Sequence, residues 1–181
     1  MLHLRLLLLL PLLLALPARA ATTVHVRYDR SVDSFVVHPD LSYELTSTLD
    51  ATLLTPRGLR LGERSSHSFY PDHQSREVLE AWVEQPDGQR VTVAKSSIFT
   101  RPSAAAQSAP GFSGAMTTTV LFPQLRPGSH IHVKWLKVQK TPPLLGFNVL
   151  SEAGFEVQTV SDETIITLPA DIKFNWRKRG P

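Results

Sequence analysis

The 181-residue sequence contains no cysteine. That excludes a disulfide framework, a thiolate zinc or iron–sulfur centre and a cysteine nucleophile. Charge is sparse as well: 19% of residues are charged and the formal net charge is +3. Hydrolase signatures are missing too, with no G-x-S-x-G, no S-x-x-K and no H-E-x-x-H, which removes the usual serine elbow and the helical zinc-protease motif. The nearest approach, Gly111-Phe112-Ser113-Gly114, follows a small-residue stretch and has no helix to carry an elbow. Outside the first twenty residues no stretch keeps a long 3.6-residue apolar period, so a helical fold is not expected. Hydrophobic residues still make up 42% of the chain, too many for a disordered one.

Residues 1–20 have the form of a secretory signal peptide. Arg5 forms a short basic start, an apolar run follows from Leu6 to Leu16, and Ala18 and Ala20 supply the A-x-A pattern. Cleavage is expected after Ala20, leaving Ala21 as the first residue of a single domain over 21–181. At about 1.5 Å per residue the run spans only about half of a roughly 30 Å hydrocarbon core, so no transmembrane segment is expected once it is removed. Export places the protein in the periplasm or outside the cell. Arg5 and Arg19 leave with the signal, and Arg177, Lys178 and Arg179 cluster at the extreme C-terminus. The body of the chain therefore has no basic face, and nucleic acid is not an expected partner.

The remaining pattern is that of strands. Val24, Val26 and Tyr28 alternate with polar residues, as do Leu41, Tyr43 and Leu45, and Ile131, Val133 and Trp135. A period of two marks a half-buried strand. The segment from Arg76 to Gln85 could form a short helix, but Pro86-Asp87-Gly88 and the alternating Arg90-Val91-Thr92-Val93 follow it. Pro presets a turn dihedral and Gly supplies positive φ, which favours a hairpin. Pro102 to Gly111 is rich in Ala and Ser, and a mobile loop is expected over about 102–115. Ser161-Asp162 is expected to turn between strands at 154–160 and 163–168, the last of them an exposed edge close to the C-terminus. The expected fold is all-β, an antiparallel sandwich-like single domain.

Candidate chemistry is thin. His130 and His132 occupy alternate positions of a strand and so point the same way; with His25, His38, His67 or His73 they could hold a metal. Together with Lys134 they equally form the polar face opposite Ile131, Val133 and Trp135. The solvated face is the expected reading, with no metal and no cofactor. Carboxylates such as Glu77, Glu80, Asp162 and Glu163 are ungrouped, which gives general acid–base chemistry no support. Trp82 and Trp135 are expected in the core. Phe112 and Trp176 fall outside the strands and are the candidate contacts for a partner.

Several segments in fixed order resemble one family: Leu53-Leu54-Thr55-Pro56-Arg57-Gly58, Glu77-Val78-Leu79-Glu80-Ala81-Trp82-Val83, Pro86-Asp87-Gly88, Ile98-Phe99-Thr100-Arg101-Pro102, Ala109-Pro110-Gly111-Phe112-Ser113, and Val120-Leu121-Phe122-Pro123 with Pro127-Gly128. From about Val36 onward the chain is similar to domain of unknown function 3857, which in bacterial exported proteins precedes a transglutaminase-like domain. The resemblance implies a β-rich fold and brings no catalytic residues with it. The Cys–His–Asp chemistry of the neighbouring domain cannot be hosted by a chain without cysteine. The expected function is a non-catalytic exported β-domain that binds protein or peptide, as an accessory module of a transglutaminase-like system. The alternative is a module that binds carbohydrate or another cell-envelope component.

Overall fold

The computed structural model describes residues 23–109, 111–149 and 157–177. The expected signal peptide, with Ala18, Ala20 and Ala21, lies outside them. Among the described residues no helix is long and apolar enough to cross a membrane.

Among the described residues ten strands form two sheets. The chain runs β1 (Val26–Val37), β2 (Tyr43–Leu53), α1 (Pro56–Gly62), β3 (Arg64–Phe69), β4 (Gln74–Glu84), β5 (Arg90–Thr92), β6 (Ile98–Pro102), α2 (Ala104–Ser108), β7 (Met116–Leu121), β8 (His130–Gln139), β9 (Gln158–Thr159) and β10 (Asp162–Thr167). The larger sheet has the order β10-β1-β2-β8-β4-β5, with β9 also on β1; the smaller has the order β3-β7-β6. The fold is thus the sandwich-like all-β domain that the alternation implies. Every pairing is antiparallel except those of β1 with β9 and β10, which are parallel. A parallel partner needs a long crossover rather than a tight turn, and β9 and β10 follow β8 across a long connection.

Alternation sets which side chains meet. In β8, Ile131, Val133 and Trp135 are buried while the residues between them are only partly so. They pack with Val26, Ala51, Leu53, Ala81 and Val83 of the larger sheet and with Val93, Val120 and Phe122. At the opposite ends of β1 and β2, Phe35, Tyr43 and Phe147 form a second aromatic group with ring centroids 5.5–5.8 Å apart, and Phe174 extends it. The Pro86-Asp87-Gly88 hairpin forms as read. Gly88 takes φ 86, and its N–H donates to the Gln85 carbonyl at 2.9 Å.

Among the described residues two short α-helices interrupt the strands, α1 in a segment for which the sequence pattern sets no element and α2 within the expected loop. At α1, Thr55 is the N-cap and accepts the Gly58 N–H at 3.1 Å, with Pro56 at the first helical position. Both are favoured at a helix start. At α2, Ser103 caps an alanine run by accepting the Ala106 N–H; alanine is the best helix former. The segment 102–115, expected as a loop, therefore contains one short helix.

Candidate functional site

The two histidines singled out in the sequence lie on the outer face of the larger sheet, but that face is not simply solvated. His132 Nδ1 is 2.7 Å from Asp50 Oδ1 on β2. Its ring stacks on Trp82 of β4 at 4.7 Å with an 8° interplanar angle, and the Arg90 guanidinium of β5 in turn lies over the Trp82 ring, 3.8 Å from its centroid. Arg90 also bonds Glu84 at 3.0 Å. Asp50, His132, Trp82 and Arg90 thus form a ladder across four strands, the kind of cross-strand pairing that stabilises a sheet. Trp82, expected in the core, belongs to this outer ladder. Its parity in β4 is that of Glu80 and Glu84 rather than that of buried Ala81 and Val83. The side chain of His132 is only 12% exposed as a result.

Around His130 the geometry does not set up a nucleophile. Thr52 Oγ1 donates to Asp29 Oδ2 at 2.5 Å and lies 3.4 Å from His130 Nδ1. The hydroxyl proton is therefore held by a carboxylate, leaving the imidazole nothing to remove. Asp29 sits at the irregularity in β1 between Tyr28 and Arg30. Burial acts to raise its pKa, but the hydrogen bonds from Thr52 and Arg27 and the charges of Arg27 and His130 hold it below the ordinary value. His132 Nε2 is buried without a hydrogen-bond partner and stands 3.8 Å from Glu80. Among the described residues, no group of three or more His, Cys, Asp or Glu is placed to hold a metal ion.

A different feature has the shape of a binding site. Between the two sheets a cleft of about 770 Å³ runs beside β3 and α1, within the range of small-ligand sites, about 300–1,000 Å³. Val26, Tyr28, Leu49, Ile131 and Val133 from the larger sheet make its apolar floor; Arg57 and Leu61 of α1 and Arg64 of β3 stand along it, and no Asp or Glu among the described residues lines it. The helix is fixed there by its cap: Thr55 Oγ1 shares a hydrogen bond with His25 Nδ1 at 2.9 Å, and Leu54 N–H donates to the His25 carbonyl at 2.9 Å. The capping pair Thr55-Pro56 was the available sequence signal for α1, and hence for Arg57 and Leu61. Phe112 is 93% exposed and Trp176 is 76% exposed; neither lines the cleft.

His67 also lines the cleft and packs edge-on against Trp135 at 4.8 Å. Burial, and then the charge of Arg76, push its pKa down to about 4. The unfolded chain takes up a proton below its ordinary 6.5 that the folded chain refuses until about 4. The His67 contribution is thus complete above pH 6.5 and is lost as pH falls toward 4. Allowing for partial exposure, about 1–2 kcal/mol of stability should be missing at pH 5 relative to pH 7. Denaturant melts at the two pH values should show a smaller difference in His67→Phe, which retains the ring contact.

An inter-sheet cleft in a small β-sandwich-like domain defines the class of protein. Residues 39–181 match the model of a family of unknown function with a solved structure, DUF3857, and the chain belongs to that family. No curated protein matches the sequence. Among solved structures it is similar to a candidate protease of Parabacteroides distasonis, with TM-score 0.60 and 21% identity over 65% of this chain and 23% of that one. The chain thus spans less than a quarter of that protein, and the likeness is one of fold. Fainter similarities are to the CBM3a-L domain of the Clostridium thermocellum scaffoldin cipA, with TM-score 0.36 and 10% identity over 66% of this chain and 71% of that one, and to an M1 zinc metallopeptidase of Deinococcus radiodurans, with TM-score 0.33 and 16% identity over 68% and 22%.

Proposed function

We propose that this chain is an exported, non-catalytic β-domain that binds a protein or peptide, acting in the periplasm or outside the cell as an accessory module of a transglutaminase-like system. The observation that supports this reading most is the cleft, with its apolar floor, arginines along its side and no carboxylate among the described residues that line it. Apolar walls with a few placed polar groups are what a binding site needs. The signal-like N-terminus supports export, and the family likeness supports the accessory role. The polysaccharide reading has less support. Its candidates, Phe112 and Trp176, lie in the connection before β7 and in the segment after β10, not in a row along a sheet face.

The test is selection of a displayed random-peptide library on the secreted full-length product. Leu61 lines the cleft and is 60% exposed, so Leu61→Asp changes the cleft without emptying the core. Enriched peptides are expected to bind wild type at least about tenfold more tightly than Leu61→Asp. Failure to enrich any peptide, or enrichment indifferent to that substitution, overturns the reading. Enrichment on insoluble polysaccharide instead would favour the cell-envelope alternative.

A further inference from the structure

The cleft follows the main-chain edge of β3. Arg64, Ser65, Ser66 and His67 all line it, although successive strand residues point to opposite faces. Ser66 turns its hydroxyl away to Thr119 of β7, at 2.9 Å, and lines the cleft nonetheless. Four consecutive residues meet one space when that space runs along the strand's edge. Among the described residues β3 is the end strand of the smaller sheet and pairs only with β7. Half of its N–H and C=O groups therefore point away from β7, toward the cleft.

The other edges of the described residues are different. β6 ends in Pro102 and runs into α2, β5 is three residues long, and β10 begins with Asp162 and Glu163. Short length, proline and charge are the common protections of an edge. β3 has neither proline nor carboxylate, and an apolar floor lies beside it.

We propose that the cleft takes an extended acidic peptide, which adds to β3 as a fourth strand of the smaller sheet. This rests on the peptide-binding reading above and specifies how the peptide is held. Main-chain hydrogen bonds to β3 supply affinity, and alternate side chains supply selectivity. One alternate set faces the floor at Leu49, Ile131 and Val133, and so is apolar. Acidic residues flanking it meet Arg57 and Arg64, neither of which has an ion-pair partner among the described residues. His67 is neutral at pH 7 and adds no charge there. Four edge residues at about 3.4 Å each match a peptide core of similar length.

The probe is the acetylated hexapeptide amide Glu-Val-Thr-Val-Thr-Glu, titrated into the isotopically labelled full-length protein while backbone amide resonances are followed. Residues 64–67 are expected to shift on saturation. A probe with lysine in place of both glutamates should bind about tenfold or more weakly, as should the acidic probe with Arg64→Glu. N-methylation of the alternate probe amides that face β3 should weaken binding about tenfold per methyl, while methylation of the other set is tolerated. Equal tolerance of both methylated sets would overturn strand addition and leave a peptide held by side chains alone. No shift with any probe also overturns it, and the library selection then decides separately whether the cleft binds peptides at all. Protection of the β3 amides without probe overturns it in favour of a second copy if it grows with protein concentration, or of the chain's own edge cover if it does not.

Discussion

Trp135→Ala is expected to remove about 3–5 kcal/mol of stability, a large share of the roughly 5–15 kcal/mol that holds an ordinary domain folded. Trp135 is 2% exposed and sits in the central strand β8, against the core formed by both sheets. Its removal leaves a cavity that rigid β neighbours cannot fill. Besides filling space, it joins the two layers: its Nε1 donates to Ser65 Oγ of β3 at 3.3 Å, and its ring supports His67 and lies 5.9 Å from Arg76. Trp135→Phe separates the two roles. It should lose about 1–2 kcal/mol and keep the fold, while hydrogen exchange speeds up in β3 more than in β2. Urea melts of both variants, with exchange on the second, check this. Uniform loss of protection in the Phe variant would argue that Trp135 acts by volume alone.

Gly58→Ala should also be damaging, and for a reason that helix propensity alone would get backwards. Gly to Ala in a helix normally gains up to about 1 kcal/mol. Here the added Cβ would lie 2.1 Å from the His25 carbonyl oxygen and 3.0 Å from its carbon. Both are backbone atoms, and the oxygen already accepts the Leu54 N–H, so neither can yield cheaply. Overpacking of this kind costs about 1–3 kcal/mol and at times more, and α1 must lift off β1 to relieve it. A net loss of about 2 kcal/mol is expected, together with the loss of peptide binding, because α1 carries Arg57 and Leu61. Gly114→Ala, where nothing lies within 4 Å of the new carbon, is the neutral control. Equal melting midpoints for the two alanine variants would contradict the close approach of helix and strand.

Much of this architecture could be read from alternation. Ile131, Val133 and Trp135 point inward as their period implies, and the Pro86-Asp87-Gly88 turn links β4 to β5. Trp82 shows where a simple rule fails: buried aromatics are common, yet its parity with Glu80 and Glu84 puts it outside, where His132 and Arg90 cover its faces. Parity also places His130 and His132 side by side, but not their companions. Asp29 reaches His130 through an irregularity in β1, and Asp50 reaches both through a register that only the folded sheet defines. The cleft was the least legible feature. It arises because a three-stranded sheet faces a wider one, and the parallel docking of β9 and β10 on β1 depends on residues far apart in the chain. No local pattern encodes either. The cap of α1 was the exception, written plainly in Thr55-Pro56 but followed by a helix too short to register as a period.

The parallel seam of β1 has a kinetic consequence. Ser31 through Val36 pair with Asp162 through Thr167, so one flank of the longest strand stays uncovered until nearly the whole described chain has been synthesised. Pairings of such high sequence separation form slowly, because the entropy of closing the intervening loop precedes the reward. The domain should therefore fold late and in one step rather than from its N-terminus forward. A nascent chain halted before residue 158 would present β1 as its most adhesive surface.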